Sequence, residues 1–153
     1  MALAEEHGLA TDYRQRVHGW LAARLDEAPK SRWTVVPQAV NSLLEIYLFE
    51  QRLADALALC TDRPVAGGLL LNLARALNEP HDSLPLYLRL VRTLVHNTNN
   101  QSYREGIALL QELHGTLATT AHRQAFAQAL IELRREFKAK RNFIKWLNEA
   151  FAP

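Results

Sequence analysis

Six histidines are the first residues to weigh for chemistry: His7, His18, His81, His96, His114 and His122. Metal ligation from one helix needs imidazoles one turn apart, as in His-Glu-x-x-His, and no pair stands at three or four residues. His114 and His122 bracket a turn, where exposed or locally hydrogen-bonded rings are expected. His81-Asp82, in the Glu79–Ser83 turn, reads as helix-capping chemistry before a proton relay. The single cysteine, Cys60, would need a neighbouring base and a lowered pKa to act as a nucleophile. Its place at the end of a Leu53/Ala56/Leu57 stripe marks it as a small core residue. Glu45 is the one acid in the most apolar segment and is expected in a structural ion pair with Arg75 or Arg52. Gly67-Gly68 precedes a helix whose N-terminus attracts anions, yet no Gly-x-Gly-x-x-Gly and no Lys-Ser/Thr follows. A flexible lead-in to a packed helix is the expectation there. No catalytic residue, metal ligand or cofactor site emerges.

One charged feature has geometry. Arg134, Lys138, Arg141 and Lys145 recur at i, i+4, i+7 and i+11, a single basic stripe if the segment stays helical. From Gly115 onward the chain carries seven basic residues against three acidic ones, while the remainder has eleven against thirteen. Such a stripe can follow phosphates, with Phe143 and Trp146 close enough to stack on bases. The plainer reading is a solvated face, with cations complementing a helix C-terminus and with Glu132 and Glu136 partly neutralising them. These four residues are the candidate interaction surface, with the loops at Arg63 and Asn97–Asn100 as further contact candidates.

The segments that must position these groups are helical almost throughout. Asp12–Glu27 follows a possible cap at Thr11 and stops before Pro29. Trp33–Val36 is the only β-branched run, and Pro37 limits it to a short connection. A helix over about Pro37–Glu50 is apolar on several sides, which predicts a central position. Arg52–Cys60 and Gly68–Asn78 follow as helices. Pro80 then reads as a break before a helix over Ser83–Val95. His96–Gln101 is a polar turn, after which Ser102 is expected to cap a helix carrying Tyr103, Ile107, Leu110, Leu113 and Leu117. Thr119 or Thr120 opens the last stretch. A break near Lys138–Asn142, with Asn142 as cap, is preferred over one helix to Phe151, because one helix would set Lys140 in the middle of an apolar face.

At 153 residues with 48% hydrophobic side chains, the chain is long enough for one domain with its own core. Net charge of +2 and this apolar content exclude a disordered tail. No apolar run approaches the roughly 20 residues of a bilayer span, and one unpaired cysteine fits a reducing compartment, so a cytoplasmic protein with no membrane contact is expected. Ala2–His7 followed by Gly8-Leu9 looks like a helix end without a helix beginning, which points to a fragment of a larger protein. The fold expectation is all-α: about seven or eight helices in a right-handed stack of antiparallel hairpins, TPR-like in logic. The tetratricopeptide signature and a fixed period of about 34 residues are both missing.

The second half resembles a known family. Pro85-Leu-Tyr87, then Asn99-Asn100-Gln-Ser-Tyr103-Arg-Glu-Gly106-Ile-Ala-Leu-Leu110, then Leu133-Arg-Arg-Glu-Phe137-Lys-Ala-Lys140-Arg141-Asn-Phe143 is similar to the C-terminal helical region of bacterial SWIM zinc-finger proteins. Phe137 stands where that family often has histidine, and Gly106 where it prefers alanine. The resemblance implies a Cys-x-Cys and Cys-x-His zinc module N-terminal to this region in a full-length relative; this chain has none of those ligands. The helical part would then be scaffold. The expected function is non-enzymatic protein–protein interaction. A nucleic-acid-binding accessory domain using the basic end is the alternative, and an enzyme with a dispersed site comes third.

Overall fold

Among the described residues, apolar side chains at helical spacing form eight α-helices and no strand. The computed structural model describes residues 15–20, 38–61 and 63–152. Helix α1 is described over 15–20, followed by α2 (Gln38–Phe49), α3 (Leu53–Thr61), α4 (Gly67–Ala76), α5 (Pro80–His96), α6 (Asn100–His114), α7 (Thr120–Glu136) and α8 (Arg141–Ala150). The readings at Ala2–Leu9, at Thr11 and at Trp33–Val36 lie outside the described residues. None of these helices is long and apolar enough to cross a membrane. The chain divides inside α4, between Leu69 and Leu70, into two compact units.

In the first unit, α2 and α3 pack against each other across a tight turn. Gln51 takes φ 60° there, and Arg52 N–H donates to the Tyr47 carbonyl at 2.9 Å. Val40, Leu43 and Leu44 of α2 are buried, as are Ala56, Leu59 and Cys60 of α3. Cys60 is the core residue its stripe implied. Phe49 departs from the multi-sided burial expected of α2, since it is 81% exposed. Glu45 is exposed as well and makes no ion pair with Arg52 or Arg75 among the described residues. Arg52 instead pairs with Asp55 at 2.9 Å, and Arg75 with Glu112 at 3.0 Å.

The second unit is built from two hairpins. Along α5 and α6 the contacting pairs run in opposite directions: Tyr87 with Glu112, Val91 beside Gly106, Asn97 with Ser102. Helices α7 and α8 are antiparallel in the same way, through Phe126–Phe151, Arg134–Asn148 and Phe137–Phe143. Between hairpins the sense is parallel. Asn100 meets Asn142 and Arg104 meets Trp146 along α6 and α8, while Arg92 meets Glu136 and His96 meets Phe137 along α5 and α7. Stacked hairpins with like helices in parallel register bury Val91, Val95, Leu110, Leu113, Leu133, Phe143 and Leu147 completely. Each such side chain contributes about 1.5–3 kcal/mol by leaving water.

Several helix ends differ from the sequence reading, each for a local reason. Pro80 opens α5 instead of breaking the chain, because a proline in the first turn has no hydrogen bond to lose. Asn99, three residues before the expected cap, caps α6: its side-chain oxygen accepts from Ser102 N–H at 2.8 Å. Ser102 is therefore buried inside the first turn. Helix α6 stops at His114, and Leu117 packs into the core from the following loop. Thr119 caps α7, accepting from His122 N–H at 3.1 Å. The break before α8 occurs where it was expected, but Lys140 occupies the cap position in place of Asn142 and supplies no side-chain cap.

Candidate functional site

The hairpin register brings two polar turns, distant in sequence, to one corner of the second unit. Lys140 Nζ donates to Thr98 Oγ1 at 2.8 Å, and Asn142 Nδ2 donates to Asn100 Oδ1 at 3.2 Å; both joints span 42 residues. The turn between α5 and α6 is thereby fastened to the turn between α7 and α8. Thr98 sits at φ 52°, a left-handed conformation that costs a β-branched residue on the order of 1–3 kcal/mol. Its hydroxyl also donates to the His96 carbonyl at 3.2 Å.

Only part of the basic stripe survives here. The break at 137–140 contains Lys138 and separates Arg134 on α7 from Arg141 and Lys145 on α8, so the four do not line one helix. Arg134 turns inward: it donates to Asn148 Oδ1 at 2.9 Å and to the Phe151 carbonyl at 2.6 Å. Lys138, Arg141 and Lys145 are exposed and make no ion pair among the described residues. Arg141 and Lys145 stand about 6 Å apart along one face of α8. Glu136, one of the two acids expected to dilute the stripe, is already paired with Arg92 of α5 at 2.9 Å, while Glu132 stays exposed on α7. The positive field of this segment is correspondingly less compensated than the sequence implies.

The two aromatics beside the stripe are not stacking platforms. Phe143 is fully buried between Tyr103 and Phe137, at ring distances of 5.9 Å to each. Trp146 is half-buried, with the Arg104 guanidinium 5.0 Å from its ring centroid. That contact adds one more exposed cation to the α6–α8 seam.

Two clefts lie elsewhere in the unit. One, of about 300 Å³, is lined by Arg75, Asn78, Ser83, Tyr87, Glu112 and Thr116 among others. Glu112 is occupied on both oxygens, by Arg75 Nε at 3.0 Å and by the Tyr87 hydroxyl at 3.4 Å. A carboxylate held in this way works as a clamp between α4, α5 and α6. Burial, and then the Glu112 charge, push the Tyr87 phenol above its ordinary value, so it remains a donor. The second cleft, of about 320 Å³, is mostly apolar and includes His81 and His122. His114 does not meet His122; its ring packs on Phe126 and Phe151, at 5.3 and 5.5 Å.

Sequence reasoning marked Asn97–Asn100 and the basic segment as separate contact candidates and missed that they adjoin. The two Asn-containing turns at the same position of successive hairpins are the signal that could have joined them. No family model, curated protein or solved structure matches the chain.

Proposed function

We propose that the chain is a non-enzymatic, TPR-like helical scaffold that binds another protein through the basic corner formed by the two hairpin turns and α8. The observation that carries this reading is the set of exposed cations, Lys138, Arg141 and Lys145, left without ion pairs among the described residues while the nearby Glu136 is neutralised by Arg92. Unspent charge on a rigid frame suits recognition, because the frame has already lost the conformational freedom that binding would otherwise remove. Hairpins stacked in parallel register support extension of the same packing into a solenoid, whose surfaces engage partners over several helices. The motifs between Pro85 and Phe143 that resemble the SWIM-protein helical region fall on these hairpins, which supports a relationship through scaffold positions. The lone buried thiol of Cys60 suits a reducing, cytoplasmic setting.

A photo-crosslinking side chain placed at Glu149, next to the basic face of α8, tests the reading in the source cell. A discrete protein adduct that disappears on Arg141→Glu/Lys145→Glu supports it. Adducts that persist unchanged after the charge reversal, or no protein adduct at all, overturn it.

A further inference from the structure

Resting on the reading of α8 as a contact face, we infer that its occupant is an acidic protein segment carrying carboxylates about one helical turn apart. Arg141 and Lys145 define the spacing, with Lys138 before them on the turn and Arg104 across the seam on α6. The surface is positive along the N-terminal half of α8 and acquires a carboxylate, the exposed Glu149, only at the far end. A partner's acids therefore match Lys138 through Lys145, and like-charge repulsion at Glu149 sets the direction in which the segment lies.

Charge alone would also attract a nucleic acid, and two features favour carboxylates over phosphates. Single-strand binding draws on open aromatic faces, and here Phe143 is in the core and Trp146 is half-buried against Arg104. Duplex binding relies on about 6–10 phosphate contacts, and the withdrawal of Arg134 into the α7–α8 joint leaves a smaller set. A short row of carboxylates on a protein needs only three or four cations.

Fluorescence anisotropy with labelled decaglutamate and labelled decathymidylate decides the matter on the intact chain. Decaglutamate binds, and its affinity falls about tenfold or more as salt rises from about 50 to 300 mM. The Arg141→Glu/Lys145→Glu protein loses at least about tenfold in affinity at low salt with an unchanged thermal midpoint, whereas Arg123→Glu, in the first turn of α7, binds as the parent does. Decathymidylate binding more tightly than decaglutamate overturns the inference, as does decaglutamate binding that ignores the charge reversal, or none. A charge-dependent adduct at Glu149 with a partner segment lacking acids would sink this inference while leaving the protein-binding reading intact.

Discussion

The guanidinium of Arg134 donates to the backbone carbonyl of Phe151 at 2.6 Å and, through Nε, to Asn148 Oδ1 at 2.9 Å. One side chain of α7 thus holds the last turn of α8, where carbonyls have no helical partner. Phe151 is set against Phe126 and His114 by the same anchoring, at 5.3 and 5.5 Å. Arg134→Ala removes both hydrogen bonds and is expected to lower unfolding free energy by about 2 kcal/mol, read from the urea midpoint at constant slope. Arg134→Lys recovers less than half of that, because an ammonium lacks the planar fork. Lys138→Ala, on the exposed turn, changes the midpoint by less than about 0.5 kcal/mol.

Burial separates two phenylalanines that composition treats alike. Phe143 has no exposed surface, and Phe49 is 81% exposed. Phe143→Ala leaves a cavity among Tyr103, Phe137 and the surrounding leucines and is expected to cost about 3–5 kcal/mol. Phe49→Ser should stay within about 0.5 kcal/mol of the parent and improve solubility. Paired denaturation curves check both, and equal effects would contradict the packing described.

Helical spacing alone located the apolar positions that became the core, such as Val91, Leu110, Leu133 and Cys60. It also located the break before α8. A single helix would have carried Lys140 on its apolar face, whereas ending α7 at Glu136 lets Phe137 turn inward to Phe143. The exact helix starts were less legible. Asn99 and Ser102 are both good caps three residues apart, and the winner is the one whose oxygen reaches the other's N–H. Least legible were the joints between hairpins. Arg92 and Glu136 are 44 residues apart, and no local pattern tells either that the other is present. For that reason the stripe looked half-neutralised in sequence, while in the fold Glu136 is paired with Arg92 and Arg134 holds the end of α8.

Gly106 lies buried where α6 crosses α5, and a methyl group there would stand 3.6 Å from Val91 Cγ1 and 3.9 Å from Leu94 Cβ. Those are ordinary contact distances with no backbone in the way. Alanine also loses less conformational freedom than glycine in a helix interior. Gly106→Ala is therefore expected to stabilise by about 0.5–1 kcal/mol, seen as a raised thermal midpoint. Gly106→Leu forces the hairpin apart and should lower stability by about 1–3 kcal/mol.

Thr98 offers the converse test, at the strained turn. Asparagine tolerates left-handed backbone far better than a β-branched residue, so Thr98→Asn relieves strain at the expense of two exposed hydrogen bonds of the hydroxyl, from Lys140 and to the His96 carbonyl. A net gain of about 0.5–1 kcal/mol is expected in the unfolding midpoint. A loss of comparable size would mean that the Lys140 joint outweighs the backbone term.

Tyr87 makes a contribution to stability at alkaline pH that one substitution can isolate. Its phenol is raised above the ordinary value first by burial and then by the Glu112 carboxylate, which also accepts its hydrogen bond. In the unfolded chain the same group titrates near about 10. The folded state therefore keeps the proton more tightly than the unfolded state. The resulting stabilisation is complete below the unfolded value and drains away as pH climbs through the folded one. The whole chain contributes to the parent's alkaline curve, so comparison with a variant is what isolates this phenol. Tyr87→Phe keeps the ring and removes the titration. Unfolding free energy measured from pH about 8 to 11 should then fall less steeply for Tyr87→Phe than for the parent, with the two curves converging as pH rises. Parallel curves would show that the phenol is not held protonated against Glu112.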